Sequence, residues 1–374
     1  MRTIIIGAGQ AGLAMSYQLS KHGIDHVVLE ASQEIASSWK KRYDALNLIT
    51  PNWMNSLDGL VFPGEKDDFS SRDDVVKYLE MYAEKINFPI KFKQKVIDLS
   101  KSDDLFHITT DKKEEYDCDN VILATGPFQK PKTPDFSHKI DDRVFQIHSD
   151  EYKNVNQLDG DTVLVVGSGN SGVQIAIDLA KKMKVYHSKE NNFWIPRSLS
   201  GKQFIEIIKK FGINDKEISN NEMEIERDFM FWMQALGLYD MPVNSALGRA
   251  LAIGNDPFVG QDIEPLLDEH KVTKLEKCCG YIDGEFQFEN KKSLKVDTVI
   301  WATGYEYDYS WVNFPILNNE GQPIHEHGVS NLKGLYFIGL RWMSRADSGL
   351  LKGVSKDAKY IAETIKEKHS TKVV

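Results

Sequence analysis

Two glycine-rich turns, each set between an apolar strand and a helix, and a strand ending that occurs twice predict an α/β fold of two parallel-sheet units, one inserted into the other. The turns are Gly7-Ala8-Gly9-Gln10-Ala11-Gly12 and Gly167-Ser168-Gly169-Asn170-Ser171-Gly172. The strand endings are Val121 to Gly126 and Val299 to Gly304, both closing on Ala-Thr-Gly. One G-x-G-x-x-G is weak evidence, because glycine is common; a pair in matched settings is strong. The motif needs a tight turn off the strand, a backbone close to a pyrophosphate, and helix N-terminal amides facing it. Both copies meet these needs, so the chain reads as two Rossmann-like dinucleotide-binding domains.

In the first unit Thr3 to Ile6 forms a buried strand, Gly12 to Leu19 lies in a helix, and Val27 to Leu29 is a second strand ending at Glu30. Gly7, Gly9, Gln10 and Gly12 then cradle a pyrophosphate. A carboxylate at the second strand's tip accepts hydrogen bonds from a ribose diol, which suits the adenosine half of FAD or NAD. The second unit runs from Val163-Val166 through its glycines into a helix from Ser171 to about Lys182, then Val185 to His187. Ser188 and Lys189 follow where the first unit has an acid. A hydroxyl and an ammonium there favour the 2′-phosphate of NADPH. A solvated lysine is the plain alternative, and Glu190 next to it leaves NAD open.

Size and composition agree with this organisation. The 374 residues suit two or three domains, and 41% hydrophobic with 27% charged residues is ordinary for a soluble protein. A net charge of −9 gives no general attraction to nucleic acid or anionic lipid. The first apolar run is cut by Gly7, Gly9 and Gly12, which argues against a secretory signal, and no stretch reaches the roughly 20 apolar residues of a membrane helix. A cytoplasmic location is expected, and a homodimer is the general default for soluble enzymes. Cys118 and the adjacent Cys278-Cys279 make no disulfide framework and no C-x-x-C redox pair, and the histidines show no metal-ligand spacing.

The two Ala-Thr-Gly turns are read as the points where the chain leaves one domain for the other. Residues 1–155 and 305–374 are assigned to a discontinuous FAD domain, and 156–304 to an inserted NADPH domain carrying a helical insertion at about 195–262. Gly201 to Lys210 and Met223 to Leu238 have helical spacing. In the latter, Phe229, Trp232, Met233 and Leu236 form one apolar stripe, read as core packing of a lid or cap where specificity resides. Gly334 to Gly339 reads as a further buried strand. Ser348 to about Lys366 reads as a turn and helix whose N-terminus faces the flavin.

The run Ser37-Ser38-Trp39-Lys40-Lys41-Arg42-Tyr43-Asp44-Ala45-Leu46-Asn47-Leu48-Ile49-Thr50-Pro51 resembles the W-x-x-R-Y-D-x-L-x-L-x-T-P segment of flavin-containing monooxygenases. The likeness covers nearly the whole chain, including Phe69 to Leu79, Ala124-Thr125-Gly126, His148 to Tyr152, Ala302 to Tyr305 and Ser348 to Gly353. Within that family it is nearest to the indole-pyruvate monooxygenases and to bacterial flavoproteins of the CzcO type. The signature F-x-G-x-x-x-H-x-x-x-[FY] keeps only its second half, since Asp142 and Val144 replace Phe and Gly while His148 and Tyr152 match. His148 is read as a structural residue of the interdomain linker.

The resemblance implies an FAD-dependent, NADPH-consuming monooxygenase that uses molecular oxygen and a flavin hydroperoxide to insert one oxygen atom into a small organic substrate. It places Trp39, Thr50, Thr125, Gly126 and Leu350 at the flavin, and Thr303 and Gly304 at the nucleotide, with Asn47 or Asn52 as a partner for the oxygen adduct. No nucleophile, triad or metal is required. Two other classes stay open: an NAD(P)H-dependent flavin reductase or oxidase, and a flavin-bound accessory protein of cation transport.

Overall fold

The computed structural model describes residues 2–189, 194–210, 223–245, 258–260 and 272–370. β1 (Thr3–Ile6) is buried along its whole length, as a strand covered on both faces requires. It leads through the first glycine turn into α1 (Gln10–Lys21) and β2 (His26–Leu29). A short α2 (Ser37–Lys40) precedes α3 (Arg72–Ile86). α3 opens on a capping box in which Ser71 Oγ accepts from the Asp74 amide at 3.3 Å and the Asp74 carboxylate accepts from the Ser71 amide at 3.0 Å. β3 (Ile90–Lys91), an antiparallel trio β4 to β6 (Val96–Ser102, Leu105–Thr110, Glu115–Cys118) and β7 (Asn120–Leu123) follow.

β8 (Lys130–Pro131) and β9 (Phe145–His148) carry the chain across to β10 (Thr162–Val166), α4 (Asn170–Leu179) and β11 (Lys184–Ser188). The next region holds β12 (Trp194–Pro196), β13 (Ser198–Ser200), α5 (Gly201–Lys210), β14 (Glu226–Asp228), α6 (Phe229–Ala235) and β15 (Phe258–Gly260). β16 (Val272–Leu275), a second antiparallel trio β17 to β19 (Cys278–Ile282, Glu285–Phe288, Ser293–Leu294) and β20 (Thr298–Trp301) complete this half. β21 (Tyr305–Glu306), β22 (Leu335–Phe337) and α7 (Leu351–Ser370) return to the first.

Two five-stranded sheets result, ordered β22-β7-β1-β2-β3 and β16-β11-β10-β20-β9, and every pairing within them is parallel. In each, the glycine-turn strand sits at the centre, flanked by the strand that follows its helix and by the strand that ends in Ala-Thr-Gly. The α/β fold class is as expected. One boundary differs: β9 pairs with β20, so the chain has joined the second sheet by Phe145 rather than near residue 155. β9, Phe-Gln-Ile-His, lacks a continuous apolar run, which hid it from a hydrophobicity reading.

α7 packs across α1 through Ala358, Ile361, Ala362 and Ile365, an i, i+3, i+4, i+7 stripe that is essentially buried. In the insertion, the helix expected over 201–210 is present, but Met223 to Asp228 is not helical. Glu226–Asp228 instead pairs with Ser198–Ser200, and helix begins only where Asp228 Oδ1 accepts from the Met230 amide at 2.7 Å. Of the stripe, Phe229 and Trp232 are buried with Phe204 and Leu199 while Met233 and Leu236 pack against that core partly buried, and Met230, off the stripe, is buried as well. Expectations for Glu190 and for 211–222, 246–257 and 261–262 lie outside the described residues.

A Cβ built on Gly12 would stand 1.9 Å from the Gly7 carbonyl oxygen, and one on Gly172 would stand 2.2 Å from that of Gly167. These backbone atoms cannot yield without breaking the turn. Gly12→Ala is therefore expected to destabilise the first unit by about 3 kcal/mol or more, read as a lowered denaturation midpoint. Gly9→Ala, with nothing within 4 Å of its Cβ position, leaves the ligand-free protein's midpoint essentially unchanged.

Candidate functional site

The two glycine turns are built on the same plan. Ile6 pairs with Leu29 and Leu123, so Gly7, Glu30 and Ala124 meet at the carboxyl edge of the first sheet. Val166 likewise pairs with Ser188 and Trp301, bringing Gly167, Lys189 and Ala302 together in the second. Gly7 donates to Leu29 O at 2.8 Å and Gly167 to Ser188 O at 3.0 Å. A Cβ on Gly7 would lie 2.7 Å from Ala124 O, and one on Gly167 2.1 Å from Ala302 O. The repeated Ala-Thr-Gly ending is thus the neighbouring strand's half of each glycine turn.

Gly9 and Gly169 are different. Both have ordinary extended backbone, with φ of −72° and −78°, and neither has an atom within 4 Å of its Cβ position. Nothing inside the protein requires glycine there. Each stands at the N-cap of a helix whose first amides have no partner within it, a geometry that can receive an anion against the backbone.

The strand tips separate the two sites chemically. Glu30, 9% exposed, accepts from the Ala8 amide at 2.7 Å and the Ser32 amide at 2.8 Å, which fixes its carboxylate on the glycine turn. By register, Lys189 alone is its counterpart: Glu30 N donates to Lys91 O and Lys189 N to Leu275 O in the same way. Ser188 corresponds to Leu29, and its buried hydroxyl donates to Glu276 O at 2.9 Å and accepts from the Cys278 amide at 2.8 Å. The expectation that this hydroxyl faces a ribose therefore gives way to a structural role; the signal missed was the strand's own register, which turns Ser188 inward.

The Trp39 to Asn47 segment joins the two sites. Trp39 Nε1 donates to Gln10 Oε1 at 2.8 Å, on the first turn of α1. Tyr43 Oη donates to Gln174 Oε1 at 3.1 Å on α4, and its side chain is buried in the second half's core, which pushes its pKa up to about 12. Gln174 also bonds the Asn47 backbone in both directions, at 3.2 and 2.8 Å. Ser171, on the first turn of α4, also faces the Tyr43 hydroxyl and offsets part of that rise in pKa. Tyr43 lies in the W-x-x-R-Y-D segment but was given no role there, and Gln174 had no motif of its own; its place one turn beyond Asn170 was the available hint. A cavity of about 470 Å³ lies along this seam, lined by Asn47, Asn154, Gln174 and Asp178, beside the glycine turns rather than in them.

Other expected site residues are held by the protein itself. Thr50 Oγ1 donates to Asn55 Oδ1 at 2.6 Å, and Asn55 Nδ2 returns to Thr50 O at 3.2 Å, so the Thr50 hydroxyl is engaged within its own turn. Asn52 is buried between Glu65 O and Ser70 Oγ, and the Asn47 amide donates to Ala45 O. Neither asparagine side chain is arranged as an open donor. Gln129 Nε2 donates to Thr125 Oγ1 at 2.9 Å and to Gly126 O at 2.8 Å, and Thr303 Oγ1 donates to Lys132 O. Leu350 packs with Ala346 into the insertion's core beside Met54, so three segments converge there: 49–54, the insertion and 346–350. Cys278 and Cys279 are unbridged.

His148 is structural. Its Nδ1 accepts from the Asp150 amide at 3.1 Å while its Nε2 donates to Gly304 O at 3.2 Å, and burial lowers its pKa. His187 is buried more deeply, donates from Nε2 to Gly167 O at 2.8 Å, and is lowered by burial to about 4.

Between the unfolded value of 6.5 and about 4, the unfolded chain takes a proton at His187 that the folded chain refuses. Stability then rises with pH across this window and is lost as pH falls through it. The loss should reach about 3 kcal/mol for this residue. Denaturation midpoints measured from pH 7 to pH 4 should fall, and His187→Gln should flatten that fall.

No helix among the described residues is long and apolar enough to cross a membrane. The sequence profile of the pyridine nucleotide-disulphide oxidoreductase family matches residues 4–224. An uncharacterised CzcO-like oxidoreductase of Geobacillus kaustophilus is 36% identical over 97% of both chains. An indole-3-pyruvate monooxygenase of Arabidopsis thaliana is 29% identical over 97% of this chain and 89% of its own. A flavin-containing monooxygenase of Stenotrophomonas maltophilia superposes with a TM-score of 0.75 at 19% identity, covering 98% of each chain, which establishes a shared fold. With two glycine turns of one design and a relative this close along its whole length, the chain belongs to the pyridine nucleotide-disulphide oxidoreductase family, among its CzcO-like oxidoreductases.

Proposed function

We propose that the chain is a monooxygenase that holds FAD at the first glycine turn and NADPH at the second, and transfers one atom of molecular oxygen to a small organic substrate. The observation that carries this reading is the charge reversal between two otherwise equivalent strand tips, Glu30 in the first and Lys189 in the second. A fixed carboxylate receives the two hydroxyls of an unmodified ribose; an ammonium receives a 2′-phosphate. Gly9 and Gly169 admit the pyrophosphates. Residues up to about 144, with 305–374, then serve the flavin, and about 145–304 the nicotinamide cofactor.

Bound FAD, once reduced by NADPH, supplies the activation of oxygen. The protein's part is placement and exclusion of water. Trp39 anchors the segment that leads to the Thr50 turn, while the partly buried Ile49, Trp53, Met233 and Leu350, packed over the core that Met54, Met230 and Trp232 fill, form an apolar wall where the three segments converge. The substrate class that fits such a wall is a small apolar or aromatic molecule. The resemblance to indole-3-pyruvate monooxygenases points the same way. The reading makes molecular oxygen and this substrate the partners, in the cytoplasm.

Purified protein loaded with FAD should consume NADPH beyond the one equivalent that reduces its flavin only in the presence of oxygen, and an accepted substrate should lower the hydrogen peroxide released per NADPH oxidised. Peroxide equal to NADPH with every substrate tried would favour an oxidase, and oxygen-independent consumption with a disulfide or quinone would favour a reductase. Glu30→Ala and Gly9→Ala are each expected to lower FAD retention by tenfold or so. Lys189→Glu should move the nucleotide preference toward NADH by about tenfold. FAD content after gel filtration and paired kcat/KM values check these expectations.

A further inference from the structure

Both chain crossings between the sheets leave a strand through Ala-Thr-Gly, and both glycines have positive φ, 70° at Gly126 and 86° at Gly304. An aromatic ring follows each, Phe128 on the outward crossing and Tyr305 on the return. These two rings meet edge to face at 5.2 Å, and the crossings pair as the two-residue ribbon β8 and β21. Alone, a ribbon of this length is a weak hinge.

Arg42, from the segment between α2 and α3, closes on this hinge. Its guanidinium lies 4.6 Å from the Phe128 ring centre and 5.3 Å from that of Tyr305. Its Nη1 donates to the Tyr305 hydroxyl at 2.5 Å and faces Asp150 Oδ1 at 3.5 Å. Tyr305 in turn donates to Asp150 at 3.1 Å, and His148, two residues before Asp150, lies edge-on to the Tyr305 ring. One side chain thus touches the outward crossing, the return crossing and the linker after β9. Its own backbone is tied as well: Arg72 and Lys153 both donate to Arg42 O. A planar guanidinium suits this place because it stacks on rings and donates in its plane at once, which an ammonium cannot do.

We infer that Arg42 is a positioning residue which fixes the angle between the two nucleotide-binding halves, and so the distance over which hydride must pass from one cofactor to the other. The inference rests on the two-cofactor reading above, although the bracket itself is a property of the protein without ligands. Hydride transfer demands contact between donor and acceptor, and a misplacement of about 1 Å costs on the order of a hundredfold in rate.

The test uses Arg42→Met, Arg42→Lys and Tyr305→Phe in the full chain. The last keeps the ring and removes only the hydroxyl, so it stays informative should the first fail to fold. In protein without nucleotide, hydrogen exchange at residues 126–131 and 303–306 should quicken by about tenfold in Arg42→Met, while β1 and β10 keep their protection. With FAD bound, anaerobic reduction at saturating NADPH should slow by about ten- to a hundredfold. FAD content and the NADPH concentration for half-maximal rate should change less than about threefold, and Arg42→Lys should restore only a minor part of the rate. Unchanged exchange in the ribbon would overturn the bracket whatever the protein's activity. Faster exchange with a native reduction rate would overturn the positioning role, and loss of NADPH affinity in proportion to rate would make Arg42 a ligand contact instead.

Discussion

The arrangement of the molecule depends on one short segment, Trp39 to Asn47, that belongs to the first half in sequence and to both halves in contact. Trp39 holds the first turn of α1, Tyr43 and the Asn47 backbone hold Gln174 on α4, and Arg42 sits on the two crossings between. The glycine turns at either end of this segment are stiff, because Gly7 O packs where a Gly12 side chain would be and Gly167 O where a Gly172 side chain would be. Rigid cradles joined by a rigid strap fix a crevice between two sheets whose strands end there. Parallel sheets place ligands at such carboxyl edges.

That constraint explains why several polar residues near the crevice are turned inward. Thr50 and Asn55 satisfy one another, Asn52 is shared between Glu65 and Ser70, and Ser188 bridges two backbone groups of the neighbouring turn. In a buried loop each of these groups would be costly without a partner. On the proposed reading, chemical recognition is left to backbone amides, to the glycines that would admit a pyrophosphate, and to the opposite charges of Glu30 and Lys189.

Much of the fold was legible because parallel strands buried on both faces read as unbroken apolar runs, and because Gly7, Gly9 and Gly12 announce their geometry. The duplicated Ala-Thr-Gly was legible as a repeat, while its purpose, to seat Ala124 and Ala302 against the glycine turns, emerged only from register. β9 was missed since Phe-Gln-Ile-His makes no unbroken apolar run, and Met223 to Asp228 was misread because helical spacing carries no information about a pairing partner at Ser198–Ser200. Side-chain direction was the least readable feature: Ser188 and Lys189 are adjacent in sequence, yet the pleat sends one into the core and leaves the other at the tip. Gln174 and Arg42 escaped notice as site residues for a related reason, since their partners lie more than a hundred residues away in sequence.

On the proposed reading, two cradles of one design hold different cofactors within reach of each other. The most direct measurement is an anaerobic titration of the FAD-loaded protein with NADPH, following the visible absorbance of the flavin. Bleaching complete at one NADPH per chain, with NADH far less effective, is the predicted result. Failure of the chain to retain FAD, or a flavin that stays oxidised in excess NADPH, would contradict the account.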